Sequence, residues 1–547
     1  MGIPSYFSQI IRKYTKILRN KKYFKDNHKP FTHLYMDCNS IIYDSYYDII
    51  NKEREINDFE KLEKDIIEKV VKNIDNYIQM INPTNTIYIA FDGVAPLAKM
   101  EQQRTRRYKS LFTSNAQSKL MNENFNKWNT SSITPGTLFM DKLSRYTNFY
   151  FQYKETQYNV KKIIISCSDE PGEGEHKLYS HIRNNNVESS NIAIYGLDAD
   201  LIMLSIFHLK YCKDIYVFRE APEFLKNSIP LNVKEHSNEP YFLDIHCFSL
   251  SILTEMNCSN NDLSRIDDYV FMCFLLGNDF LPHFPSMNIR THGISVLLDI
   301  YKKYISNSMN RYLISPYTKQ IQWNNVKIFI NEISKCEHEL LKKEYFVRDK
   351  FDKRKFPETT IKEKEEVLLN VPILYRQEEK YICPDELYWE DRYYKILFKS
   401  LGYDDSIKDI SINYLEGLEW VYKYYTGDCP DWKWKYKYNY PPLFNDLNKY
   451  IPHFETDFLK SQLTNSSFIP FHPYTQLSYV LPRNNLYLLP KKIQGFLLDN
   501  YSNLYPEEYK FQWAFCRYFW ESHPILPEIT NDELEKWNCQ FSFFHSL

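Results

Sequence analysis

The stretch NIAIYGLDADLIMLS (191–205) begins with an apolar run that ends at Gly196, and two acidic residues follow within four positions, at 198 and 200. A run of four to six β-branched and aromatic residues of this kind predicts a buried strand. Three further runs have the same form: HLYMD (33–37), TIYIAFD (86–92) and KIIISCS (162–168). Amphipathic helical patterns lie between them, for example at 60–81 and 97–112. This alternation predicts an α/β fold whose mostly parallel sheet has helices on both faces.

Each of the four predicted strands ends on or just before an acidic residue. A longer apolar segment, 267–280, predicts a buried helix that ends near Gly277 and is followed by one more acid. The seven acids are Asp37, Asp92, Glu173, Glu175, Asp198, Asp200 and Asp279. An aspartate at one strand end is often only a helix cap, but seven acids after consecutive strands favour a shared site, because parallel strands deliver their carboxyl ends to one sheet edge.

Such an acidic cluster needs positive charge. Two unit charges about 4 Å apart repel by about 4 kcal/mol at an effective dielectric near 20, so clustered carboxylates either gain protons or hold divalent cations. Ligation by oxygen alone favours Mg²⁺, for which Mn²⁺ can substitute. Two such ions are the arrangement used to hydrolyse phosphodiesters. The spacing therefore predicts a two-metal nuclease, with a polarity that the acids alone leave open.

The bulk composition is that of a globular protein, with 43% hydrophobic and 25% charged residues and a net charge of −2. No global basic field would hold nucleic acid, so binding requires a local basic patch. The 11 cysteines form no CxxC pair, which argues against a zinc knuckle and favours a reducing compartment. No apolar run reaches the ~18 residues of a membrane span, so we expect no membrane association and a cytoplasmic location.

Three regions are expected along the chain. We expect a catalytic nuclease region at 1–342, a charged helix and connection at 343–384, and a mainly helical, aromatic-rich second region at 385–547. The second region would pack against the first and complete a wall of the active site.

Four polar residues near the start of the predicted helix at 97–112 share one face. Lys99, Gln103, Arg106 and Arg107 follow the i, i+4, i+7, i+8 spacing. By itself this pattern favours a solvated basic face, although arginine also suits bidentate capture of a phosphate.

An ordered series of motifs is similar to the Xrn family of 5′→3′ exoribonucleases. The motifs that carry the resemblance are MGIPSYF (1–7), MDCNSIIY (36–43), FDGVAPLAKMEQQRTRRYK (91–109), PGTLFM (135–140), PGEGEHKLYSHIR (171–183), YGLDADLIMLS (195–205), FLLGNDFLPHFPSMNI (274–289), YLEGLEWVYKYYTGDCPDWKWKYKYNYPPLFNDL (414–447) and IPFHPYTQLSYVLP (469–482). The resemblance implies a PIN/FEN-like catalytic core, bound Mg²⁺ and processive removal of mononucleotides from single-stranded RNA with a 5′-monophosphate. It also implies a role in mRNA decay, with decapping or other RNA-processing factors as candidate partners.

Carried over by position, the family's metal-site acids fall on the seven acids above, and its 5′-phosphate pocket falls on Lys99, Gln103, Arg106 and Arg107. The family stacks the first bases between a histidine and a tryptophan. Tyr43 stands at the histidine position, and the tryptophan is Trp432 or Trp434. Leu97 replaces a family arginine, so one accessory contact is expected to be lost.

Two other functions are compatible with parts of this pattern. A structure-specific DNA 5′-nuclease of the FEN type uses a similar acidic cluster, but lacks a long aromatic second region. A catalytically inactive RNA 5′-end scaffold would be marked by loss of acids, and all seven are present.

Overall fold

The computed structural model describes residues 5–52, 58–121, 128–185, 187–196, 198–220, 240–398, 403–460 and 463–544. Most of the MGIPSYF motif (residues 1–4) lies outside them. Nine strands are described: β1 (Leu18–Arg19), β2 (His33–Asp37), β3 (Thr86–Ala90), β4 (Lys162–Ser166), β5 (Val187–Tyr195), β6 (Cys212–Arg219), β7 (Tyr241–Asp244), β8 (Phe511–Gln512) and β9 (His523–Pro524).

Seven of these strands form one sheet in the order β1-β7-β6-β5-β2-β3-β4. The five strands from β6 to β4 run parallel, with β2 at the centre paired to β5 and β3. β7 runs antiparallel to β6, and β1 antiparallel to β7. The four predicted strands are therefore present, and β1, β6 and β7 extend the sheet on one side.

Both faces of the sheet are buried because side chains alternate along each strand. Tyr35 and Ile194 point into one apolar core and Leu34 and Tyr195 into the other, all fully buried. The helices of the first half of the chain are α1 (Tyr6–Lys13), α2 (Lys21–Asp26), α3 (Asn39–Ile50), α4 (Phe59–Ile81), α5 (Leu97–Met121), α6 (Leu138–Phe151), α7 (Glu155–Tyr158), α8 (Gly174–Asn184), α9 (Ala199–His208), α10 (Ile245–Glu255) and α11 (Arg265–Cys273). Of these, α6, α8, α9 and α10 contact the strands of the sheet directly.

The remainder of the chain is mainly helical, with a small β8–β9 pair. Its helices are α12 (Gly293–Tyr304), α13 (Trp323–Ser334), α14 (Glu337–Asp352), α15 (Ile361–Leu374), α16 (Gln377–Ile382), α17 (Trp389–Leu397), α18 (Tyr403–Thr426), α19 (Phe444–Tyr450), α20 (Pro473–Val480), α21 (Lys491–Tyr501) and α22 (Asn531–Phe544). No helix in the described part of the chain is both long and apolar enough to cross a membrane.

The charge-rich segment that follows residue 342 differs from the expected solvated helix and connection. It contains parts of three helices, α14 to α16, and a buried ion-pair network. Arg348 and Arg376 both donate to the fully buried carboxylate of Glu379, at 2.5 to 2.8 Å. Mutually compensating charges explain why a charged sequence lies inside the protein.

Helix α5 connects the sheet to the second region. Leu97 and Met100 on its first turns pack with Leu477, Ile493 and Trp537 in a separate apolar core. Because α5 is held between the two parts of the molecule, its polar face lies beside the carboxyl edge of the sheet.

Candidate active site

The seven acids lie at one edge of the sheet. Asp37 is the last residue of β2 and Asp92 follows β3 by two residues, whereas the other four strand-end acids belong to the first turns of α8 and α9 or precede them by one residue. Asp279 follows Gly277, whose φ of 86° ends the α11 segment as predicted. The positive ends of the α8 and α9 helix dipoles favour the four acids at their N-termini.

One cavity of about 220 Å³ collects most of this set, and we call it the acidic cavity. Six of the acids line it: Asp37, Asp92, Glu173, Glu175, Asp198 and Asp200. Asp279 is joined to it by Lys99, whose ammonium lies 2.9 Å from Asp279 Oδ2 and 2.5 Å from Glu173 Oε2. The structure therefore brings together seven acids that span 242 positions of the sequence, from Asp37 to Asp279.

A glycine permits the closest approach in this cluster. The backbone N–H of Gly174 donates to Asp92 Oδ1 at 2.7 Å, and a Cβ at this position would lie 2.7 Å from Asp37 Oδ1. Any other residue would push the N-terminus of α8 away from both carboxylates. The neighbouring Gly172 has a φ of 105°, which glycine adopts without steric cost.

Burial makes three carboxylates of the cluster, those of Asp37, Asp200 and Glu175, resist ionisation. It raises the pKa of Asp37 to about 8, with further repulsion from Asp92 and Asp198. It also raises the pKa of Asp200 to about 6, with repulsion from Asp279. The pKa of Glu175 is likewise well above its ordinary range, mainly because of burial.

Lys99 is the counter-ion within this group. Burial disfavours its charge, but attraction by Asp279 and Glu173 outweighs that effect and holds the pKa of Lys99 well above its usual value. For Asp279, burial is again opposed by Lys99, and here the pKa falls below its ordinary range. One lysine cannot neutralise seven acids, so the cluster has the charge and the oxygen donors that divalent cations require.

Glu173, Glu175 and His176 each offer one ligand atom, and these atoms lie within 4.8 Å of one another. His176 was not among the predicted ligands. Its imidazole is buried, which holds its pKa well below the ordinary value, and it stacks on Tyr424 with ring centroids 3.6 Å apart. The seven carboxylates fit Mg²⁺ or Mn²⁺ better than a softer metal, because oxygen is the ligand that these hard cations prefer.

Several residues that contact the acids were not predicted from the sequence. Asn39 donates through its side-chain amide to Asp92 Oδ2 and accepts from the Asp92 backbone N–H at 3.1 Å. Arg219, the last residue of β6, lines the acidic cavity and forms an ion pair with Asp44 at 2.7 Å. The proximity of Asn39 to Asp37 in sequence was a usable signal, whereas Arg219 ends a strand, β6, that was not among the four predicted strands.

The second region also reaches the acids. On α18, the hydroxyl of Tyr424 donates to Glu173 Oε1 at 2.8 Å, and the hydroxyl of Tyr425 donates to Asp200 Oδ1. These contacts join residues separated by 251 and 225 positions, so no local pattern could have indicated them.

The four residues of the predicted basic face all line the acidic cavity. Arg106 is exposed and Arg107 is half-buried, with its Nε lacking a hydrogen-bond partner among the described residues. Gln103 accepts from Gln476 of α20 at 3.3 Å. Lys99 differs from the other three, because its ammonium is engaged with two of the acids.

The predicted stacking residues are placed differently from one another. Tyr43 lines the acidic cavity, whereas neither tryptophan does. Trp434 is only 6% exposed and stacks on Trp420. Trp432 is partly exposed, and its backbone carbonyl accepts from Leu97 N at 2.9 Å, at the start of α5. Trp432 is therefore the tryptophan with surface left for a base.

Two family models match this chain. The model of the XRN 5′-3′ exonuclease N-terminus matches residues 1–221, and the model of the Xrn1 helical domain matches residues 260–388 and 384–541. These matches confirm the resemblance read from the motifs. The parallel sheet flanked by helices, followed by a mainly helical second region, confirms the predicted α/β architecture.

Curated relatives align with nearly the whole chain. Over 98% of its length it is 26% identical to the 5′-3′ exoribonuclease 2 of Candida albicans, covering 72% of that protein. It is also 26% identical to the Drosophila melanogaster homologue of 5′-3′ exoribonuclease 2, over 98% of this chain and 70% of that protein. The identity to the 5′-3′ exoribonuclease 1 of Schizosaccharomyces pombe is 26%, over 98% of this chain and 48% of that protein. Among solved structures, the catalytic core of Rad2 in complex with DNA substrate aligns at 12% identity with a TM-score of 0.32, covering 84% of this chain and 95% of that one.

Proposed function

Because the chain belongs to the Xrn family and is a 5′→3′ exoribonuclease, we propose that it processively degrades single-stranded RNA bearing a 5′-monophosphate and releases nucleoside monophosphates. One observation carries this proposal. The acidic cluster and the basic face of α5 line the same cavity of about 220 Å³. A cavity of this volume that offers both cationic and carboxylate groups suits one terminal nucleotide. The 5′-phosphate of that nucleotide would lie at the arginines and its 3′-phosphodiester at the acids.

We propose that the seven acids hold two Mg²⁺ ions, with Mn²⁺ as a substitute. The chemistry that such a pair supplies is activation of water and stabilisation of the leaving oxygen of a phosphodiester. The protein's own contribution is to hold the carboxylates in place through Gly174, Asn39 and the helix N-termini.

Recognition of the RNA end is assigned to Arg106 and Arg107. Their guanidinium groups suit bidentate binding of phosphate oxygens, and neither forms an ion pair with a carboxylate among the described residues. Lys99 is available to a phosphate only after it leaves Glu173 and Asp279, which the binding of cations to those acids would favour. A triphosphate or a cap would exceed the space beside the arginines, so these ends are expected to be poor substrates.

The substrate proposal also suggests partners. Decapping and other RNA-processing factors produce 5′-monophosphate ends, and we propose them as functional partners in mRNA decay in the cytoplasm.

The decisive experiment compares RNAs of one sequence that carry a 5′-monophosphate, a 5′-triphosphate or a cap. Purified wild-type protein is assayed with Mg²⁺ beside Asp198→Ala plus Asp200→Ala. We expect only the monophosphate RNA to be shortened, with mononucleotides as products, and the double variant to be inactive while still binding RNA.

Asp299→Ala plus Asp385→Ala is the matched control, because both acids are well exposed and, within the described part of the chain, pair only with surface lysines. It should retain wild-type activity. Activity in the active-site variant would contradict the metal assignment. Equal cleavage of a DNA flap and of single-stranded RNA would instead favour a FEN-type nuclease, and binding without any shortening would favour a scaffold.

A further inference from the structure

Two consecutive tyrosines of α18 enter the acidic cluster from the second region. The Tyr424 hydroxyl donates to Glu173 Oε1 at 2.8 Å, and the Tyr425 hydroxyl donates to Asp200 Oδ1. Tyr424 and Tyr425 are each only 2% exposed. The hydroxyls therefore have no solvent to bind in place of these carboxylates.

Each hydroxyl engages one oxygen of its carboxylate and leaves the other for a different partner. Glu173 shows this directly, since Oε1 accepts from Tyr424 while Oε2 lies 2.5 Å from the Lys99 ammonium. A carboxylate held at one oxygen cannot rotate freely about its terminal bond. Its second oxygen then points in one direction, toward positive charge.

The rings are themselves held firmly. Tyr424 lies between His176, stacked at 3.6 Å, and Trp420, at a centroid distance of 4.7 Å. Tyr425 meets Phe274 edge to face at 5.3 Å. Aromatic contacts of this geometry fix ring position, so the two hydroxyls are presented by a rigid support.

We infer that Tyr424 and Tyr425 are positioning residues that orient Glu173 and Asp200 for cation binding, so that the second region sets the affinity of the metal site. This inference rests on the proposed cation site. It assigns to α18 a role beyond forming a wall, because the helix determines which carboxylate oxygens are free. Partners in the outer shell of metal ligands typically contribute 10- to 100-fold to affinity or activity.

The same helix provides a control. Tyr422 is also buried, at 4% exposure, but its hydroxyl has no hydrogen-bond partner among the described residues. Its ring packs against Phe207 and Phe271, away from the acids. Tyr422→Phe, Tyr424→Phe and Tyr425→Phe thus each remove one buried hydroxyl from one helix, and only the last two remove a contact with an acid.

The test is calorimetric titration of the full-length protein with Mg²⁺ in the absence of RNA. We expect the Kd for Mg²⁺ to rise about tenfold in Tyr424→Phe and in Tyr425→Phe and to stay at the wild-type value in Tyr422→Phe. Thermal unfolding in EDTA should be similar for all three variants, which separates metal affinity from a general loss of structure.

Steady-state kinetics supply a second readout. The Mg²⁺ concentration for half-maximal activity should rise in the two variants, the KM for RNA should not change, and kcat should recover at saturating Mg²⁺. Unchanged Mg²⁺ affinity in both variants, an equal loss in Tyr422→Phe, or the absence of Mg²⁺ binding to the wild-type protein would overturn the inference. Failure to degrade 5′-monophosphate RNA would refute the proposed substrate instead, since the titration contains no RNA.

Discussion

Substitution of Arg107 by methionine removes the half-buried guanidinium of the basic face while keeping an unbranched side chain. Burial lowers the pKa of Arg107 to about 10, which leaves it charged at neutral pH. Its contacts are weak or shared: the backbone carbonyl of Gln103 at 3.4 Å, and the hydroxyl of Thr134, which itself donates to Ser131 O at 2.7 Å. Arg107 is therefore a half-buried cation available to an incoming anion.

The expected loss follows from these contacts. A hydrogen bond to a charged group contributes about 1.5–3 kcal/mol, and about 1.4 kcal/mol corresponds to a factor of ten. Arg107→Met should therefore lower kcat/KM for 5′-monophosphate RNA by roughly 10- to 140-fold. Stability should change by no more than about 1 kcal/mol, because the lost hydrogen bonds are offset by relief from burying an unpaired cation.

The assay measures kcat/KM on two RNAs of one sequence, one with a 5′-monophosphate and one with a 5′-hydroxyl. The loss should be confined to the monophosphate RNA, since the hydroxyl RNA offers no phosphate to bind. Arg145→Ala is the control, because the Arg145 side chain is 80% exposed and its one ion pair among the described residues is with Asp141 on the same helix. Equal losses on both RNAs would refute the assignment of Arg107 to the terminal phosphate.

Two further predictions concern the acids and the tryptophans. The folded-state pKa of Asp37, raised to about 8 mainly by burial, exceeds the unfolded value of about 3.9. Its contribution to stability is thus present below about pH 4 and is lost as pH rises to about 8. Denaturant titrations in EDTA should show this loss and Mg²⁺ should reverse it; a metal-free protein equally stable at about pH 5 and about pH 8 would contradict the prediction. Trp434→Ala should lower the free energy of unfolding by about 3–5 kcal/mol, whereas Trp432→Ala should keep stability and weaken RNA binding, measured by fluorescence anisotropy, by about 1–3 kcal/mol. The opposite pattern would exchange the roles of the two residues.

Local sequence was sufficient for the central sheet and for the acids. Strands β2 to β5 are short runs of β-branched and aromatic residues. A strand that is buried on both faces has a nearly continuous apolar sequence, so it can be predicted without knowledge of the strands it pairs with. Their acids were predicted to converge because parallel strands share a carboxyl edge, and the acidic cavity contains them. Strands β1, β6 and β7 were not predicted. β1 has two residues and β7 has four, too few to show a period, and β6 mixes charged with apolar residues in CKDIYVFR.

Tertiary structure alone decided which side chains serve those acids. Nothing near Glu173 in sequence indicates Tyr424, and nothing distinguishes Tyr424 from Tyr422, because both belong to one aromatic run and differ only in the direction that the docked α18 gives them. The same holds for Trp432 and Trp434, two residues apart, of which only one retains exposed surface. Periodicity along the chain reports whether a residue faces inward, but the partner it meets there depends on how distant elements pack.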